Sequence, residues 1–253
     1  MYNEIIESIK SAVIEYEKTN CLQKTWKEPL IEIFPANDEK LETLKQAVSD
    51  EHFMPRDILP DAKSIISFFL PFQESIAESN LKGAMASEEW SMAYIKTNDL
   101  IAVINNKIEA LMEKNGYKTG KIPATHNFEA EKLISNWSHG HIAHIAGLGT
   151  FGINNMIITK NGCCGRLGSI IISHELKEYK NPHTISEKCL NRLNGSCGIC
   201  QKKCMINAFE NGIYNRHKCY EQCLKNAEHH KKAGYADVCG KCLAGLPCST
   251  KEP

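Results

Sequence analysis

No stretch of this chain approaches the roughly 18 uninterrupted apolar residues that a membrane span needs. The opening twenty residues, MYNEIIESIKSAVIEYEKTN, carry acids and lysines throughout and lack the apolar core of a secretory leader. A cytoplasmic location without membrane association is therefore expected. Internal repeats and low-complexity tracts are also missing. Net charge is zero, with 30 basic and 30 acidic side chains, but the balance hides an asymmetry. Residues 1 to 179 hold 18 basic and 24 acidic groups, whereas residues 180 to 253 hold 12 and 6. A basic surface for nucleic acid is one account of the second segment; cations compensating buried thiolate-ligated metal clusters are the other.

What the chain has in excess is cysteine. Twelve thiols in a sequence expected to sit in a reducing compartment cannot be a disulfide framework, so metal is the default explanation. Cys21 stands alone, Cys163 and Cys164 are adjacent, and the other nine fall between Cys189 and Cys248. Their placement favours the cation account of the basic C-terminal segment.

The hydrophobic content of 42% is enough for a real core. Ile5, Ile6, Ile9, Val13 and Tyr16 recur at helical spacing and predict an opening amphipathic helix. An extended stretch over Leu30 to Phe34, a helix near Asp38 to Val48 and a buried strand over Ser64 to Leu70 should follow. A long helix over Glu88 to Lys114 should stop at Asn115-Gly116, with Tyr117 to Pro123 extended. Helical character is expected again from Glu129 to Ala146. Two β-rich runs, Met156 to Thr159 and Gly168 to Ser173, are expected to be joined by the turn Asn161-Gly162. The result is an α/β or α+β domain over residues 1 to 180, followed by a small metal-stapled module over 181 to 253 that cannot bury enough apolar area to fold alone.

The late cysteines form two groups: Cys189, Cys197, Cys200 and Cys204, then Cys219, Cys223, Cys239, Cys242 and Cys248. SCGICQKKC keeps the last two intervals of the bacterial two-cluster ferredoxin run, in which the fourth cysteine crosses to the other cluster. Applied here, that crossover assigns Cys189, Cys197, Cys200 and Cys248 to one [4Fe–4S] cluster. It assigns Cys204, Cys219, Cys239 and Cys242 to a second, leaving Cys223 over. Tetrahedral zinc at the C-x2-C pairs 197/200 and 239/242 is the alternative, though it accounts less well for Cys204 and Cys248.

Gly147, Gly149 and Gly152 formally fit the GxGxxG dinucleotide fingerprint, but a helix precedes them and a strand follows, the reverse of what that site requires. They are better read as letting backbone approach a bulky cofactor or turn a tight corner. His139, His141 and His144 lie just before them, with 141 and 144 on one helical face, where a metal role competes with local hydrogen bonding. Cys163 and Cys164 near Arg166 are either activated thiols or buried apolar ones.

HIAHIAGLGTFGINNMIIT, the Gly168-Ser-Ile-Ile-Ile strand and the two cysteine groups together resemble the epoxyqueuosine reductase family and its relatives, the reductive dehalogenases. Pro60-Asp-Ala-Lys-Ser-Ile-Ile is similar to that family's first core strand, and Cys219-Tyr220 to the start of its second cluster motif. The resemblance implies an α+β fold with an α/β core of the reductive dehalogenase/nitroreductase-like type and a C-terminal bacterial ferredoxin-like two-cluster module. It implies cobalamin bound base-off in the N-terminal domain, with Gly147, Gly149, Gly152, Asn154 and Asn155 as its contacts. There are departures. Asn194 stands where the family's first cysteine would be, so that Cys189 substitutes, and Met205 replaces the motif's proline. The second group ends C-x2-C-x5-C rather than with tighter spacing, and in place of the family's proton-donating aspartate, HNFEAEKLISNWSHG offers only Glu129 and Glu131. The helical-repeat tail that some family members carry is absent, so tRNA is not expected as substrate.

The expected function is an oxidoreductase reducing a small-molecule substrate that the sequence does not identify, with electrons from a low-potential donor such as ferredoxin or flavodoxin. The rival is a non-catalytic ferredoxin-type carrier that docks a partner enzyme.

Overall fold

A computed structural model describes residues 1–122, 128–129, 131–176, 185–210 and 213–253. The chain opens with helix α1 (Tyr2–Thr19), which buries Ile5, Ile9, Ala12, Val13 and Tyr16 on one face. Strand β1 (Leu30–Pro35) follows, then a short 3-10 and α-helical pair over Glu39–Thr43 and Leu44–Ala47, and strand β2 (Ser64–Pro71). Helix α2 (Glu88–Lys114) starts where the Ser87 side chain accepts from Trp90 N at 3.1 Å, with Glu88 and Glu89 complementing the positive end of its dipole. It ends at Asn115, followed by Gly116 in the left-handed region at φ 76°. Strand β3 (Thr119–Lys121), helix α3 (His139–Ala146), strands β4 (Gly149–Phe151), β5 (Ile157–Thr159) and β6 (Gly165–Ile172) complete the part of the chain built on the sheet.

Four of the strands form one sheet in the order β1-β2-β6-β3, antiparallel throughout. Ile66 opposes Ile170 and Thr119 opposes Ile172, which places the last-made strand at the centre. Alternation sorts side chains to two faces. Ile66, Phe68, Leu70, Ile170 and Ile172 meet α1 and α2 through Ile9, Leu100, Ile101 and Ile104. Ile65, Ile171 and Phe34 face the other way, against Trp137, Ile142 and Ile145 around α3. Because helices cover both faces, every residue of β2 is buried, which is why the run reads as continuously apolar. The antiparallel sheet makes the domain α+β.

Two expectations give way. The helix expected over Glu129 to Ala146 begins only at His139: Leu133 holds a left-handed φ of 52°, which a helix cannot absorb, and Phe128–Glu129 pairs with Ile134–Ser135. The β-rich runs either side of Asn161-Gly162 do not pair with each other. β5 pairs with β4, while β6 enters the central sheet. The cause lies just before β6, where Cys163 N and Cys164 N donate to Ser249 O at 3.0 and 2.8 Å, turning the chain onto the C-terminal segment.

The expected domain boundary at 180/181 lies outside the described residues. Beyond it come the short helices Leu190–Asn194 and Ile199–Lys202, the pair Phe209–Glu210 and Ile213–Tyr214, and helix α4 (Arg216–His229), which buries only Asn226 and Ala227. Among the described residues, no helix is long and apolar enough to cross a membrane.

Phe68 is fully buried between α2 and β6, and its ring occupies the space that a Cβ on Gly168 would need, 2.4 Å away. Phe68→Ala should cost about 3–5 kcal/mol of stability, read as a fall in the urea midpoint; an unchanged midpoint would remove Phe68 from the core.

Candidate functional site

The cysteine-bearing segments hold little apolar side chain of their own, and polar groups of the first domain position them. Asn80, fully buried, donates from Nδ2 to Cys239 O at 2.9 Å. Asn154 Nδ2 reaches Cys242 O at 3.3 Å, and Cys163 N donates to Cys248 O at 2.9 Å. Glu187 Oε1 accepts from both Cys189 N (2.8 Å) and Thr150 Oγ1 (3.0 Å). On α4, Asn226 Oδ1 accepts from Ala86 N at 2.9 Å.

Two groups of thiols result. Cys189, Cys197, Cys200 and Cys248 line one small cavity with Ile153, Ile158 and Leu246. The Cys200 thiol is pushed up to about 11, chiefly by burial, with the neighbouring sulfurs of Cys248, Cys189 and Cys197 adding to the shift. Cys204, Cys219, Cys223, Cys239 and Cys242 line a second cavity of about 340 Å³. Burial raises Cys242, reinforced by Cys219, Cys239, Cys204 and Cys200, so the two groups adjoin. Cys219 is held down to about 6 by the Cys223 thiol donating to it and, more weakly, by the Tyr214 hydroxyl; Cys223 is raised correspondingly. Among the described residues, no three His, Cys, Asp or Glu side chains form a group that could hold a single metal ion.

Lys241, between Cys239 and Cys242, tests what this second group could hold. Its side chain is buried, with the residue 6% exposed, and Nζ donates to Asn80 O (3.1 Å) and Lys82 O (2.6 Å). Its titratable neighbours among the described residues are the neutral Cys239 thiol and a second cation, Lys203. An ammonium taken out of water without a counter-charge is costly. A cluster ligated by thiolates carries negative charge and would compensate it, so the donor set fits an anionic iron–sulfur centre.

The 340 Å³ cavity neighbours one of about 210 Å³, and Met156, Gly165 and Arg166 line both. Arg166 Cζ lies 4.1 Å over the Tyr94 ring, and Tyr94 OH donates to Asp237 at 2.5 Å. Phe72, Trp90, Phe128 and Tyr220 supply apolar wall. A guanidinium and a hydroxyl-carboxylate pair beside a thiol-lined chamber could orient a polar substrate and exchange a proton with it.

The residues expected to contact cobalamin are not gathered on one surface. Gly147 caps α3 at φ 93° and opens on a separate polar groove of about 700 Å³. A Cβ on Gly149 would lie 2.2 Å from Ile158 O, and one on Gly152 2.7 Å from Asn154 Oδ1, so both glycines are required by the β4–β5 pairing and its turn. Asn154 is buried, accepting from Met156 N at 3.2 Å as well as donating to Cys242; Asn155 is exposed at φ 61°. Glu129 pairs with Lys132 at 3.0 Å, Glu131 is exposed, and neither lines the described cavities beside the cysteines. His141 and His144 do share a face, both against Phe151, and bond locally to Ser138 Oγ (2.8 Å) and Gly149 O (2.9 Å). His139 bonds Ser169 Oγ at 2.8 Å and lines the smaller cavity. Sequence reasoning did not single out Trp90, Tyr94, Asp237 or Lys241, and treated Arg166 only as a neighbour of the vicinal thiols. One signal was there: Arg166 is one of only four arginines in a lysine-rich chain.

No protein-family profile and no curated protein sequence matches the chain. Solved structures do. An epoxyqueuosine reductase crystal structure aligns at 20% identity and TM-score 0.56, over 98% of this chain and 70% of its own. The epoxyqueuosine reductase from Streptococcus thermophilus aligns at 18% and 0.54, over 95% and 67%. A reductive dehalogenase whose structure suggests a mechanism for B12-dependent dehalogenation aligns at 16% and 0.57, over 88% of this chain and 30% of that one. At these identities the likeness is one of fold, and the fold is the one these reductases share.

His141 is pushed down to about 4, first by burial and then by His144 and His52. The folded state therefore refuses a proton that the unfolded chain accepts near 6.5, and the associated stability is complete above that pH and lost as pH falls toward 4. Urea midpoints should decline across this window, less steeply in His141→Asn; an identical decline in both proteins would exclude His141 as a source.

Proposed function

We propose that the protein is an iron–sulfur oxidoreductase of the epoxyqueuosine reductase and reductive dehalogenase type. One [4Fe–4S] cluster is ligated by Cys189, Cys197, Cys200 and Cys248, and a second by Cys204, Cys219, Cys239 and Cys242. Electrons from a low-potential donor such as ferredoxin or flavodoxin pass through them to the cavity at Arg166. The observation that carries this reading is the buried Lys241 ammonium, which donates to two carbonyls and, among the described residues, is paired with no carboxylate, in a loop flanked by thiols. The cavity favours an enzyme over a carrier, because beyond the cysteines that would seat the cluster it extends to Tyr94, Phe128 and Arg166, a lining that a carrier does not need.

At that chamber Arg166 would hold a negative or hydrogen-bond-accepting part of the substrate. Tyr94, its proton directed to Asp237, would hold a transferable proton. Cobalamin is the cofactor suggested by the kinship with a B12-dependent dehalogenase. The residues here give it no shared cradle, since Gly149, Gly152 and Asn154 are engaged within the chain.

Anaerobically reconstituted protein should contain about eight iron and eight sulfide per chain and show a brown absorption that bleaches on reduction; two zinc and no sulfide would reject the reading. Cys223→Ser should keep both clusters while Cys219→Ser loses or converts one, and the reverse pattern would exchange their roles. Co(II) cobalamin titrated into the reconstituted protein tests the corrinoid: binding at tens of micromolar or tighter, without nitrogen hyperfine splitting from a protein histidine in the electron paramagnetic resonance spectrum, supports the base-off cofactor, and no binding removes it.

A further inference from the structure

The chain has three tryptophans, all buried, and two have a partner for the indole N–H. Trp26 Nε1 donates to Thr97 Oγ1 at 2.9 Å and Trp137 Nε1 to Ser169 Oγ at 3.0 Å. Trp90, 2% exposed, has none among the described residues. A buried donor left unpaired is costly, and each such group calls for an acceptor.

The position of Trp90 indicates which acceptor. It is the third residue of α2, held by the Ser87 cap and by an edge-to-face contact with Phe72 at 5.4 Å. Its indole lies on Gly240, between Cys239 and Lys241; a Cβ there would come within 2.5 Å of Nε1. Gly240 is thus fixed both by this contact and by its left-handed φ of 68°. Trp90 lines the same cavity as Cys204, Cys219, Cys239 and Cys242. The acceptors that cluster ligation would bring to that cavity are sulfurs.

We propose that Trp90 donates its indole N–H to a sulfur of the cluster held by Cys204, Cys219, Cys239 and Cys242, and so holds that cluster at a higher reduction potential than its neighbour. This rests on the cluster assignment above. A hydrogen bond to sulfur stabilises the reduced state, which carries the extra negative charge, and the buried Lys241 acts in the same sense. Around the other thiol group the side-chain donors are already engaged: Lys188 pairs with Glu252, Asn191 donates to Cys197 O and Asn154 to Cys242 O, and Ile153, Ile158 and Leu246 supply apolar wall. Electrons would then run downhill from the first cluster to the second, which borders the chamber of Arg166.

The test uses reconstituted full-length protein carrying ¹⁵N-indole tryptophan, reduced and examined by pulsed electron paramagnetic resonance. A ¹⁵N coupling to one cluster is expected, absent in Trp90→Phe; the other two indoles are bonded elsewhere and cannot supply it. In a redox titration of iron-replete Trp90→Phe, which keeps a ring against Phe72, one midpoint should fall while the other stays. Wild-type protein with both clusters and no ¹⁵N coupling overturns the inference alone, as do two unmoved midpoints in the variant. Wild-type protein that assembles no iron–sulfur cluster overturns the cluster assignment and the inference with it.

Discussion

The architecture depends on a small set of buried side-chain amides and backbone N–H groups that reach from the first domain to the backbone of the cysteine loops. Asn80 holds Cys239, Asn154 holds Cys242, and the N–H of Cys163 holds Cys248. Each bond fixes a peptide carbonyl next to a thiol, so the positions of the sulfurs are set by the sheet domain rather than by the loops themselves. Apolar packing adds to this, with Leu243 and Cys189 in the same buried cluster as α1 and α2, but α4 itself buries only Asn226 and Ala227. Buried polar bonds are directional, and in a low-dielectric interior they are worth more than in water.

Strand β6 joins this scaffold to the chemistry. It begins at Gly165, immediately after the vicinal thiols, and Arg166 follows at the edge of both cavities. Further along, the same strand is the fully buried centre of the sheet. The guanidinium therefore projects from a rigid element, and its place relative to the thiols is fixed because Cys163 and Cys164 bond the C-terminal segment. Cys163 and Cys164 are accordingly buried structural thiols that pin two segments together, and the activated-thiol alternative has no exposed sulfur to support it.

Local features were legible in the sequence. Ser64 to Leu70 and Glu88 to Lys114 were readable because period and cap residues are local signals, and the grouping of cysteines followed from their spacing. The helix expected before His139 failed at Leu133, whose left-handed conformation no neighbouring residue announces. The strands around Gly162 were misjoined because the deciding acceptor, Ser249 O, lies near the far end of the chain. Lys241 and Asn80 are 161 residues apart, and nothing near either indicates that an ammonium will be buried there. The polar constellation at the cavity, Tyr94, Arg166 and Asp237, is dispersed in the same way.

The central position of β6 also constrains the order of assembly. Its neighbour β2 is made about a hundred residues earlier, so the sheet cannot close until Ile172 has been made, and non-local pairing of this kind is slow. Until then Asn80, Asn154 and Cys163 are not in place together to receive the cysteine loops. The nine thiols between Cys189 and Cys248 are made after β6, and they stay on an unanchored segment for as long as that pairing is incomplete. Anchoring of the cysteine loops is thereby tied to completion of a sheet that contains none of those cysteines, and a lesion in the apolar core would be felt first as exposed, oxidation-prone thiols.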